Sequence, residues 1–406
     1  MLIVQKFGGS SVADAKCIFN AASRIIETKG KDNDVVVILS AQGDTTDDLI
    51  EKAKEINPNA SKREMDMLLS TGEQQSVALM TMALNALGHN AISLNSFQVR
   101  INTSSDYSNA KIKDIDTERI KRELSRDNIV VITGFQGVNV YDDVTTLGRG
   151  GSDTTAVAIA AALNADACEI YTDVDGIYTA DPRVVPDASK LDEISYDEML
   201  ELASLGSKVL HNRSVELAKK YHIPLVVRSS FNKVNGTVVK EDSKMEKMLV
   251  SGVAADKEIT RISLLKVEDT PGKAFEVFSI LGRNDICVDI ILQSIGRDGT
   301  KDISFTVAAS DAKAAYDILT KYREKIGMQD ILLDDNVAKL SIVGAGMATH
   351  SGVASLMFEA LYDARINISM ISTSEIKISV LINKDDVELG MKAIHHKFNL
   401  AALKNL

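Results

Sequence analysis

The sequence predicts an α/β protein in which an open, mostly parallel sheet is sandwiched by helices and two smaller α/β units follow. Three observations lead to this prediction. Apolar segments alternate with helical patterns over the first half, two of these segments are apolar without interruption, and the last third of the chain repeats itself. Alternating strands and helices are typical of a parallel sheet that carries helices on both faces.

The strands predicted in the first part are short. Residues 35–39 and 129–132 are continuous apolar runs, which indicates strands buried on both faces. Because ligands of such sheets usually bind beyond the carboxyl ends of the strands, polar residues that directly follow a strand are candidates for function. We expect strands at 2–4, 35–39, 91–94, 129–133, 167–172 and 224–228, and helices at about 12–28, 45–56, 62–87, 116–126, 153–164, 195–204 and 210–221.

The C-terminal part contains an internal repeat. A polar, lysine-rich stretch at 232–248 indicates a domain boundary. Beyond it, a shift of 80 residues aligns 271–294 with 351–374 without a gap, and seven positions are identical. Each copy predicts a βαββα unit whose first helix opens at a glycine-containing turn. A duplicated unit of this kind indicates a sensing or pairing module, and a packing domain without a ligand is the alternative.

Composition and charge argue against several classes of function. The 406 residues carry a net charge of −11 without an arginine-rich run, so no nucleic-acid partner is expected. No apolar run approaches the ~20 residues of a membrane span, and we expect neither a membrane partner nor a signal peptide. Cys17, Cys168 and Cys287 are far apart, which argues against disulfides and zinc sites and favours a reducing cytoplasm. No metal site is predicted, and His395-His396 is expected on a solvated helix face.

The first candidate site is "KFGGSS" at 6–11, where a short strand leads into glycines and then into a helical pattern. Strand, glycines and helix are a common way to build a phosphate cradle. Here Lys6 precedes the glycines, so the motif is neither a P-loop nor a dinucleotide fingerprint. It places a cation at a strand end beside a glycine turn.

The second candidate is "TTLGRGGSDTTAVAIAAALNA" at 145–165. Its glycines let the backbone approach a ligand closely, Ser152 or Asp153 can cap the alanine-rich helix that follows, and the N-terminus of that helix suits an anion. Arg149 adds a planar guanidinium that matches a carboxylate or a phosphate. A glycine turn with a routine N-cap is the alternative.

The third candidate is "IYTDVDGIYTADPR" at 170–183, which contains Asp173, Asp175 and Asp181. Carboxylates at a sheet edge can organise lysines or Mg²⁺ near phosphates, and a polar turn is the alternative for any one of them. Two smaller segments offer hydroxyl groups after the strand at 35–39 and Glu73 in a helical pattern. Cations, glycine N–H groups and carboxylates, without a nucleophile–histidine pair, suit phosphoryl transfer, in which catalysis is mostly positioning and charge stabilisation.

Four motifs, "KFGGSS", "LGRGGSDTTA", "TDVDGIYTADPR" and "STSEIKISVLI", together resemble the aspartokinases of the amino-acid-kinase family over essentially the whole chain. The resemblance implies an amino-acid-kinase-type sheet and two βαββαβ-like ACT (ferredoxin-like) regulatory domains, with limits at 1–245, 260–333 and 338–406. It implies transfer of a phosphoryl group from ATP, accompanied by Mg²⁺, to the β-carboxylate of L-aspartate. The product, 4-phospho-L-aspartate, opens the pathway to lysine, threonine and methionine.

The same resemblance implies roles for individual residues in the first part of the chain. The catalytic residues would be Lys6, Asp153 and Lys208. ATP would contact Lys6, Gly8, Gly9, Ser10, Thr172, Asp173, Tyr178, Arg183 and Lys208. Aspartate would contact Ser40, Thr46, Glu73, Arg149 and Ser152, with Arg149 at its α-carboxylate and Glu73 at its amino group.

The repeats would bind lysine, threonine or both as feedback effectors. A carboxylate would hold the effector ammonium group, the helix N-terminus would accept its carboxylate, and Gln293 would bridge. The residues implied are Asp269, Gly272, Ala274, Asp289 and Gln293 in the first repeat and Asn367, Ile368, Ser374 and Glu375 in the second. Pairing of the repeats implies a homo-oligomer, or an α2β2 assembly with a shorter regulatory chain from an internal start at Met245 or Met248.

The chain departs from the family pattern at four places: Val99-Arg100 near the expected substrate loop, Gln42, Asn212 and Ser351. None of them removes a charged catalytic group, although Val99-Arg100 bears on the shape of the pocket. Two alternatives stay open beside an aspartate kinase. One is a kinase of another small acid such as glutamate, and the other is an inactive amino-acid sensor.

Overall fold

The computed structural model describes residues 1–206, 209–241, 249–296, 298–348 and 350–401, so Lys208, Met245, Met248 and Thr349 lie outside the described residues. The chain forms two compact units. Of the described residues, 1–177, 190–204 and 209–241 belong to the first unit, and 178–189, 205–206 and 249–401 belong to the second. No helix among them is long and apolar enough to cross a membrane.

The first unit is built on a large sheet with helices on both faces. Its strands are β1 (Leu2–Phe7), β2 (Asp34–Leu39), β3 (Ala91–Leu94), β4 (Ile101–Thr103), β5 (Ile112–Ile115), β6 (Ile129–Thr133), β7 (Gln136–Val138), β8 (Val144–Thr146), β9 (Ala167–Thr172), β10 (Glu193–Ser195), β11 (Leu225–Ser229) and β12 (Thr237–Lys240). Its helices are α1 (Ala15–Lys29), α2 (Thr45–Ile56), α3 (Lys62–Ala86), α4 (Glu118–Leu124), α5 (Gly151–Leu163), α6 (Tyr196–Ser204) and α7 (Asn212–Tyr221).

The main sheet has eight strands in the order β10-β12-β11-β9-β1-β2-β6-β3. The pairs from β11 to β3 are parallel, and the single antiparallel pair described is β11 with β12. The predicted fold class, an open and mostly parallel sheet between helices, is therefore confirmed. β1 lies between β9 and β2, so its carboxyl end is at the centre of the sheet edge where a ligand is expected.

The two faces of the sheet are covered by different helices. On one face, Phe7, Val37 and Val131 pack with apolar residues of α1 and α3 in one buried cluster. The ring of Phe7 stacks on that of Tyr171 at 4.5 Å between ring centroids. On the other face α5 crosses β1, β2 and β9. The uninterrupted apolar runs of β2 and β6 follow from this arrangement, because neither face meets water.

The first unit also contains a small sheet that the sequence patterns did not predict. It has the order β5-β4-β7-β8. Its strands have three or four residues each, too few to show a period. α3 is fastened to β8 and to the loop before β5 through Asp66, a fully buried carboxylate. It accepts hydrogen bonds from the backbone N–H and hydroxyl groups of Ser108 and of Thr146, at 2.8 to 3.1 Å.

Two expectations about boundaries need correction. The stretch 232–248 is not wholly a linker, because Thr237–Lys240 forms β12 and Thr237 is fully buried, donating its hydroxyl to the carbonyl of Leu191 at 2.6 Å. The first helix begins at Ala15 and not near residue 12. Gly9–Val12 forms a 3-10 turn first, and the carboxylate of Asp14 then caps α1 by accepting from the N–H of Cys17.

The second unit contains the two repeats, each with a four-stranded antiparallel sheet. The first repeat comprises β14 (Ile259–Glu268), α8 (Lys273–Gly282), β15 (Val288–Gln293), β16 (Thr300–Ala308), α9 (Ala312–Lys321), α10 (Arg323–Ile326) and β17 (Asp330–Asp334). The second comprises β18 (Val337–Val343), α11 (Val353–Asp363), β19 (Met370–Thr373), β20 (Lys377–Asn383) and α12 (Val387–Lys397). The βαββα pattern predicted for each copy is confirmed.

The second repeat draws its fourth strand from a distant part of the chain. The first sheet has the order β15-β16-β14-β17, and the second begins with β13 (Gly252–Asp256), which pairs with β18. β13 precedes the whole first repeat. It therefore lies outside the limits 338–406 that the sequence indicates for the second domain.

A segment of the range 1–245 also belongs to the second unit. Residues 178–189 supply Ala180, Val185 and Ala188 to the core of the second repeat. His395, expected on a solvated helix face, is buried here. Its Nε2 lies 2.9 Å from the hydroxyl of Thr179, and burial lowers the pKa of its imidazole. Only His396 of that pair is exposed.

We predict that Asp66→Asn destabilises the chain by about 2–4 kcal/mol, because the new amide N–H₂ would face donors that now share a carboxylate. Denaturant unfolding followed by circular dichroism measures this change. Glu51→Gln, an exposed carboxylate-to-amide change on α2, is the matched control and should shift the free energy of unfolding by less than ~0.5 kcal/mol. Equal effects of the two substitutions would contradict the anchoring role of Asp66.

Candidate active site

The candidate residues of the first unit converge on the carboxyl edge of the main sheet. Lys6 is near the end of β1, Ser40 follows β2, and Thr172 ends β9. Because β9, β1 and β2 are parallel neighbours, their carboxyl ends meet at one edge. Helix α5 packs on the same three strands, and its first turn contacts β1 through Asp153.

Lys6 and Asp153 form an ion pair at the centre of this edge. The Lys6 Nζ is 2.6 Å from the Asp153 carboxylate, and the side chains are 12% and 13% exposed. Lys6 comes from the central strand and Asp153 from the first turn of α5. The pair fixes the position of an ammonium group that is nearly, but not fully, removed from water. The expectation that Asp153 orients a catalytic lysine has this contact as its support.

The first turn of α5 differs in detail from the expected cap. Gly150, in a left-handed conformation, is the N-cap residue and makes no side-chain capping bond, while Ser152 and Asp153 lie inside the helix. The expectation that Ser152 or Asp153 caps the helix is therefore wrong. Ser152 is buried, and Arg149 is exposed on the turn before the helix. The positive end of the α5 dipole is therefore close to Lys6, which Asp153 contacts from the first turn of that helix.

The glycine turn after β1 has two different functions. The N–H of Gly8 donates to the carbonyl of Tyr171 at 3.2 Å and so extends the sheet, and the expected contact of Gly8 with ATP stays a prediction. Gly9 is needed for close packing, because a Cβ there would lie 2.8 Å from the carbonyl oxygen of Ala41. Ser10 is exposed in the 3-10 turn. Gly8 and Gly9 are half-buried, so Ser10 is the most exposed of the three residues.

Glu73 is a buried carboxylate that can accept a further hydrogen bond. Its side chain on α3 is 3% exposed, and Oε1 accepts from the N–H of Ala41 at 3.1 Å. Oε2 has no hydrogen-bond partner among the described residues. Burial raises the pKa of this carboxyl to about 7. Ser40 and Thr46 are half-buried on either side of Ala41 in the sequence, after β2 and in the first turn of α2. An ammonium group would supply the donor that Glu73 lacks.

Gly134 belongs to this edge and was missed in the sequence. It directly follows β6, donates its N–H to the carbonyl of Leu39 at 2.9 Å, and leaves no room for a side chain, since a Cβ would lie 2.7 Å from the Ser152 hydroxyl. The signal that could have found it is the one that identified Gly8, a glycine immediately after a buried strand. Gly134 keeps Ser152 close to the end of β2.

The nucleotide candidates are divided between the two units. Thr172 is half-buried in the first unit and donates to the Asp173 carboxylate at 3.0 Å, and Asp173 is exposed. Tyr178 and Arg183 belong to the second unit. Tyr178 packs against its core, and the guanidinium of Arg183 lowers the pKa of the Asp181 carboxyl, which it contacts at 2.7 Å. Lys208 lies outside the described residues.

A metal ion would depend on the nucleotide for most of its ligands. No group of three or more His, Cys, Asp or Glu side chains in the described part of the chain could hold a metal. Mg²⁺ needs only one or two carboxylates when phosphate oxygens and water complete its octahedron. Asp173 is exposed at the sheet edge and fits that requirement, whereas Asp153 is engaged by Lys6.

The departures from the family pattern are accommodated locally. Val99 is 1% exposed in the core, and Arg100 beside it is exposed with a positive φ of 42°. Gln42 donates its amide to the carbonyl of Val12 at 2.8 Å. Asn212 is the first residue of α7, a position at which proline is also favoured. Ser351 is exposed. Each of these residues fits its local environment, and none of them takes part in the Lys6–Asp153 ion pair.

The effector candidates of the first repeat surround the start of α8 and the strand β15. Gly272, in a left-handed conformation, opens α8, and Ala274 is exposed in its first turn. Asp269 pairs with Lys301 at 2.9 Å, and Asp289 pairs with Lys339 of the second repeat. Gln293 is exposed at the end of β15.

The candidates of the second repeat lie on both sides of β19. Asn367 and Glu375 are exposed, and Ile368 is half-buried. The N–H of Ser374 donates to the carbonyl of Lys377 at 2.8 Å. The residue of this repeat that contacts Asp289 is Lys339, which the sequence patterns did not select.

Models of two families match the chain: the amino acid kinase family over residues 1–229 and the ACT domain over residues 340–398. The chain is 51% identical to the aspartokinase of Helicobacter pylori, with 98% of this chain and 100% of that protein covered. It is 50% identical to the aspartokinase of Corynebacterium glutamicum, with 98% and 96% covered.

The fold of the chain is also similar to solved structures of aspartokinases. The structure of E. coli aspartokinase III in complex with aspartate and ADP (R-state) gives a TM-score of 0.83 at 26% identity and covers 98% of this chain and 99% of that one. The complex of that enzyme with lysine and aspartate (T-state) gives 0.78 at 27% identity, with the same coverage. The chain belongs to the amino acid kinase family and, within it, to the aspartokinases.

Proposed function

We propose that the chain transfers the γ-phosphoryl group of ATP to the β-carboxylate of L-aspartate, giving 4-phospho-L-aspartate and ADP. The observation that carries the proposal is the Lys6–Asp153 pair at the carboxyl edge of the sheet, beside the N-terminus of α5. The names of the relatives support aspartate as acceptor, and the aspartate and ADP in the E. coli complex support the same substrates.

Lys6 would meet the phosphoryl group as it moves between donor and acceptor oxygens. In phosphoryl transfer the protein mainly positions the reactants and neutralises charge on the equatorial oxygens. The Asp153 carboxylate holds the Lys6 ammonium in place before substrate arrives, so little reorganisation is needed at the moment of reaction. The N-terminus of α5 adds the positive end of its dipole to the same place.

Aspartate would be held at both ends of its backbone. Arg149 is exposed on the turn before α5, where its planar guanidinium can bind the α-carboxylate by two parallel hydrogen bonds. The Oε2 of Glu73, for which the described part of the chain offers no hydrogen-bond donor, would accept from the α-ammonium group. Ser40, Thr46 and Ser152 would supply hydroxyl groups around the substrate.

Thr172 and Asp173 would contact the nucleotide, and Ser10 would face its phosphates. Mg²⁺ bound with ATP would neutralise phosphate charge, with Asp173 as its protein ligand. The roles of Gly8, Gly9, Tyr178, Arg183 and Lys208 toward ATP stay predictions from the family resemblance. The compartment we infer is the cytoplasm, because Cys17, Cys168 and Cys287 are free thiols.

Regulation would act through the two repeats, with lysine, threonine or both as effectors. Feedback would follow because these amino acids are end products of the pathway that 4-phospho-L-aspartate opens. The lysine present in the E. coli T-state complex supports this part of the proposal. The domains we propose are the catalytic domain at 1–245 and the ACT domains at 260–333 and 338–406, the last completed by β13. A homo-oligomer or an α2β2 assembly through the repeats remains the expected association.

The acceptor is tested by turnover of ATP and Mg²⁺ with L-aspartate, with L-glutamate and with no acceptor. We expect ADP release and a hydroxylamine-trapped acyl phosphate with aspartate alone. Each reaction is repeated with L-lysine, with L-threonine and with both. Equal turnover with glutamate would show a kinase that accepts more than one acidic amino acid. No turnover with any acceptor would favour an inactive amino-acid sensor.

We predict that Lys6→Ala lowers kcat by about two to three decades, the loss expected for one preorganised charge contact worth roughly 3–4 kcal/mol. Steady-state kinetics measures kcat, and circular dichroism checks the fold. Lys16→Ala, which removes an exposed lysine in the first turn of α1, is the matched control and should keep full activity. A Lys6→Ala enzyme with near-parental kcat would exclude Lys6 from the reaction.

Glu73 gives the reaction a pH dependence with a definite sign. An ammonium group binds the ionised carboxylate, and the pKa of about 7 means that the proton must leave before substrate binds. We therefore expect kcat/KM for aspartate to fall as pH decreases below 7, by about tenfold per pH unit once Glu73 is mostly protonated. The KM for ATP should not follow this profile.

The matched variant is Glu73→Gln, which keeps the shape but not the charge. Its kcat/KM for aspartate should be low at every pH, and the decline centred near pH 7 should disappear. Persistence of that decline in Glu73→Gln would assign it to another group.

A further inference from the structure

Both carboxylates that would hold an effector ammonium are already paired with a lysine of this chain. Asp269 pairs with Lys301 and Asp289 with Lys339. The side chains of Asp269 and Asp289 are 43% and 47% exposed, whereas those of Lys301 and Lys339 are only 11% and 6% exposed. Each carboxylate therefore faces water on one side and receives a buried ammonium from the other.

The pair with Lys339 connects the two repeats. Asp289 is on β15 of the first repeat and Lys339 is on β18 of the second, a strand in which every residue is buried. Its neighbours Ala338, Leu340 and Ile342 belong to the core of the second repeat. Lys339 points to the opposite face of that sheet, as expected for alternate residues of a strand.

Apolar contacts surround this connection. Ile259 and Ile290 of the first repeat pack with Met370 and Leu381 of the second in one buried cluster. A lysine inside such an interface loses hydration, and it is tolerated only where a carboxylate compensates its charge. The aliphatic part of Lys339 can lie in the interface while its ammonium reaches Asp289 at the solvent side.

A second carboxylate lies on the strand next to that of Lys339. Asp256 on β13 lies directly opposite Lys339 in the antiparallel pair of β13 with β18. Side chains opposite each other in such a pair are neighbours on one face. If another cation took Asp289, Lys339 would therefore keep a compensating charge and would not remain buried alone.

We propose that Lys339 is an internal occupant of the ammonium site at Asp289, and that an amino-acid effector binds by displacing it. The exchange replaces one primary ammonium by another on a carboxylate that is open to solvent, so it conserves the charge of the site. It also transfers Lys339 to Asp256, which removes the ion pair between the repeats. This inference rests on the proposed regulation by amino acids and not on the catalytic step.

Displacement of Lys339 affects the affinity of the chain for the effector. While Lys339 occupies Asp289, the effector meets a competent site only in a fraction of the molecules, and its apparent affinity is reduced by that fraction. Removing the competing ammonium should therefore tighten effector binding. Removing the carboxylate should weaken it, because the effector ammonium then has no partner.

The experiment compares Lys339→Met with Asp289→Asn in the full chain. Binding of L-lysine and of L-threonine is measured separately by isothermal titration calorimetry without ATP or aspartate, so catalysis is not needed. We expect the dissociation constant of the effector that uses this site to decrease about two- to fivefold in Lys339→Met, the range of a partly solvated ion pair. In Asp289→Asn it should increase.

The opposite signs separate displacement from a purely structural role, because both substitutions break the same ion pair. If the pair only holds the repeats together, the two variants change affinity in the same direction, and the proposal is overturned. An unchanged affinity in Lys339→Met overturns it as well. Should Lys339→Met fail to fold by circular dichroism, Lys339→Gln, which retains a polar tip, takes its place with the same expected sign.

Arg261→Met is the matched control. It removes a partly buried cation from an ion pair with Asp334, 2.6 Å long, inside the first repeat, and should leave effector affinity unchanged. If the parent chain binds neither amino acid yet phosphorylates aspartate, the inference fails and the catalytic proposal stands. If it binds an effector with the expected signs but shows no turnover, the catalytic proposal fails alone.

Discussion

The ion pair between Lys6 and Asp153 is the constraint around which the first unit is arranged. It requires the central strand of the sheet and the start of α5 to end at one place. The alanine-rich sequence of α5 makes this possible, because Ala156 and Ala160 are fully buried and let the helix lie close to the sheet. A larger side chain at either position would move Asp153 away from Lys6.

Close backbone packing supports the same geometry from the neighbouring loops. The turn after β1 touches the turn after β2 at Gly9, and the turn after β6 touches Ser152 at Gly134. Glu73 joins this packing from α3 through the N–H of Ala41. A charged pair, a buried carboxylate and a buried hydroxyl are thus held by a rigid edge and not by long loops, which suits a reaction that depends on positioning.

Much of this arrangement could be predicted from the sequence, because its signals are local. The uninterrupted apolar runs of β2 and β6 reveal strands buried on both faces, and the two helix N-termini in the repeats follow from their glycines. The predicted strand ends also indicate that Lys6, Ser40 and Thr172 share one edge of the sheet.

The features that could not be predicted depend on distant partners. In the sequence, Asp66 looks like an ordinary acidic residue of an amphipathic helix. Its role depends on Ser108 and Thr146, which are distant in the sequence and contact it in the fold. His395 is buried because Thr179, far away in the sequence, lies against it. Lys339 is the one charged residue of a buried strand, and its contact with Asp289 explains it. The small sheet of the first unit has strands too short to carry a period.

The pairing of β13 with β18 encloses the whole first repeat in a loop of the chain, since Gly252 and Val343 are partners in one sheet. During synthesis β13 emerges before the first repeat and must wait for β18, while β14 to β17 can already pair among themselves. The first repeat therefore has a shorter path to its native contacts than the second, whose sheet closes over a long separation. Co-translational folding should accordingly complete the inserted repeat first, and a fragment that starts after β13 would leave β18 as an unprotected edge strand prone to self-association.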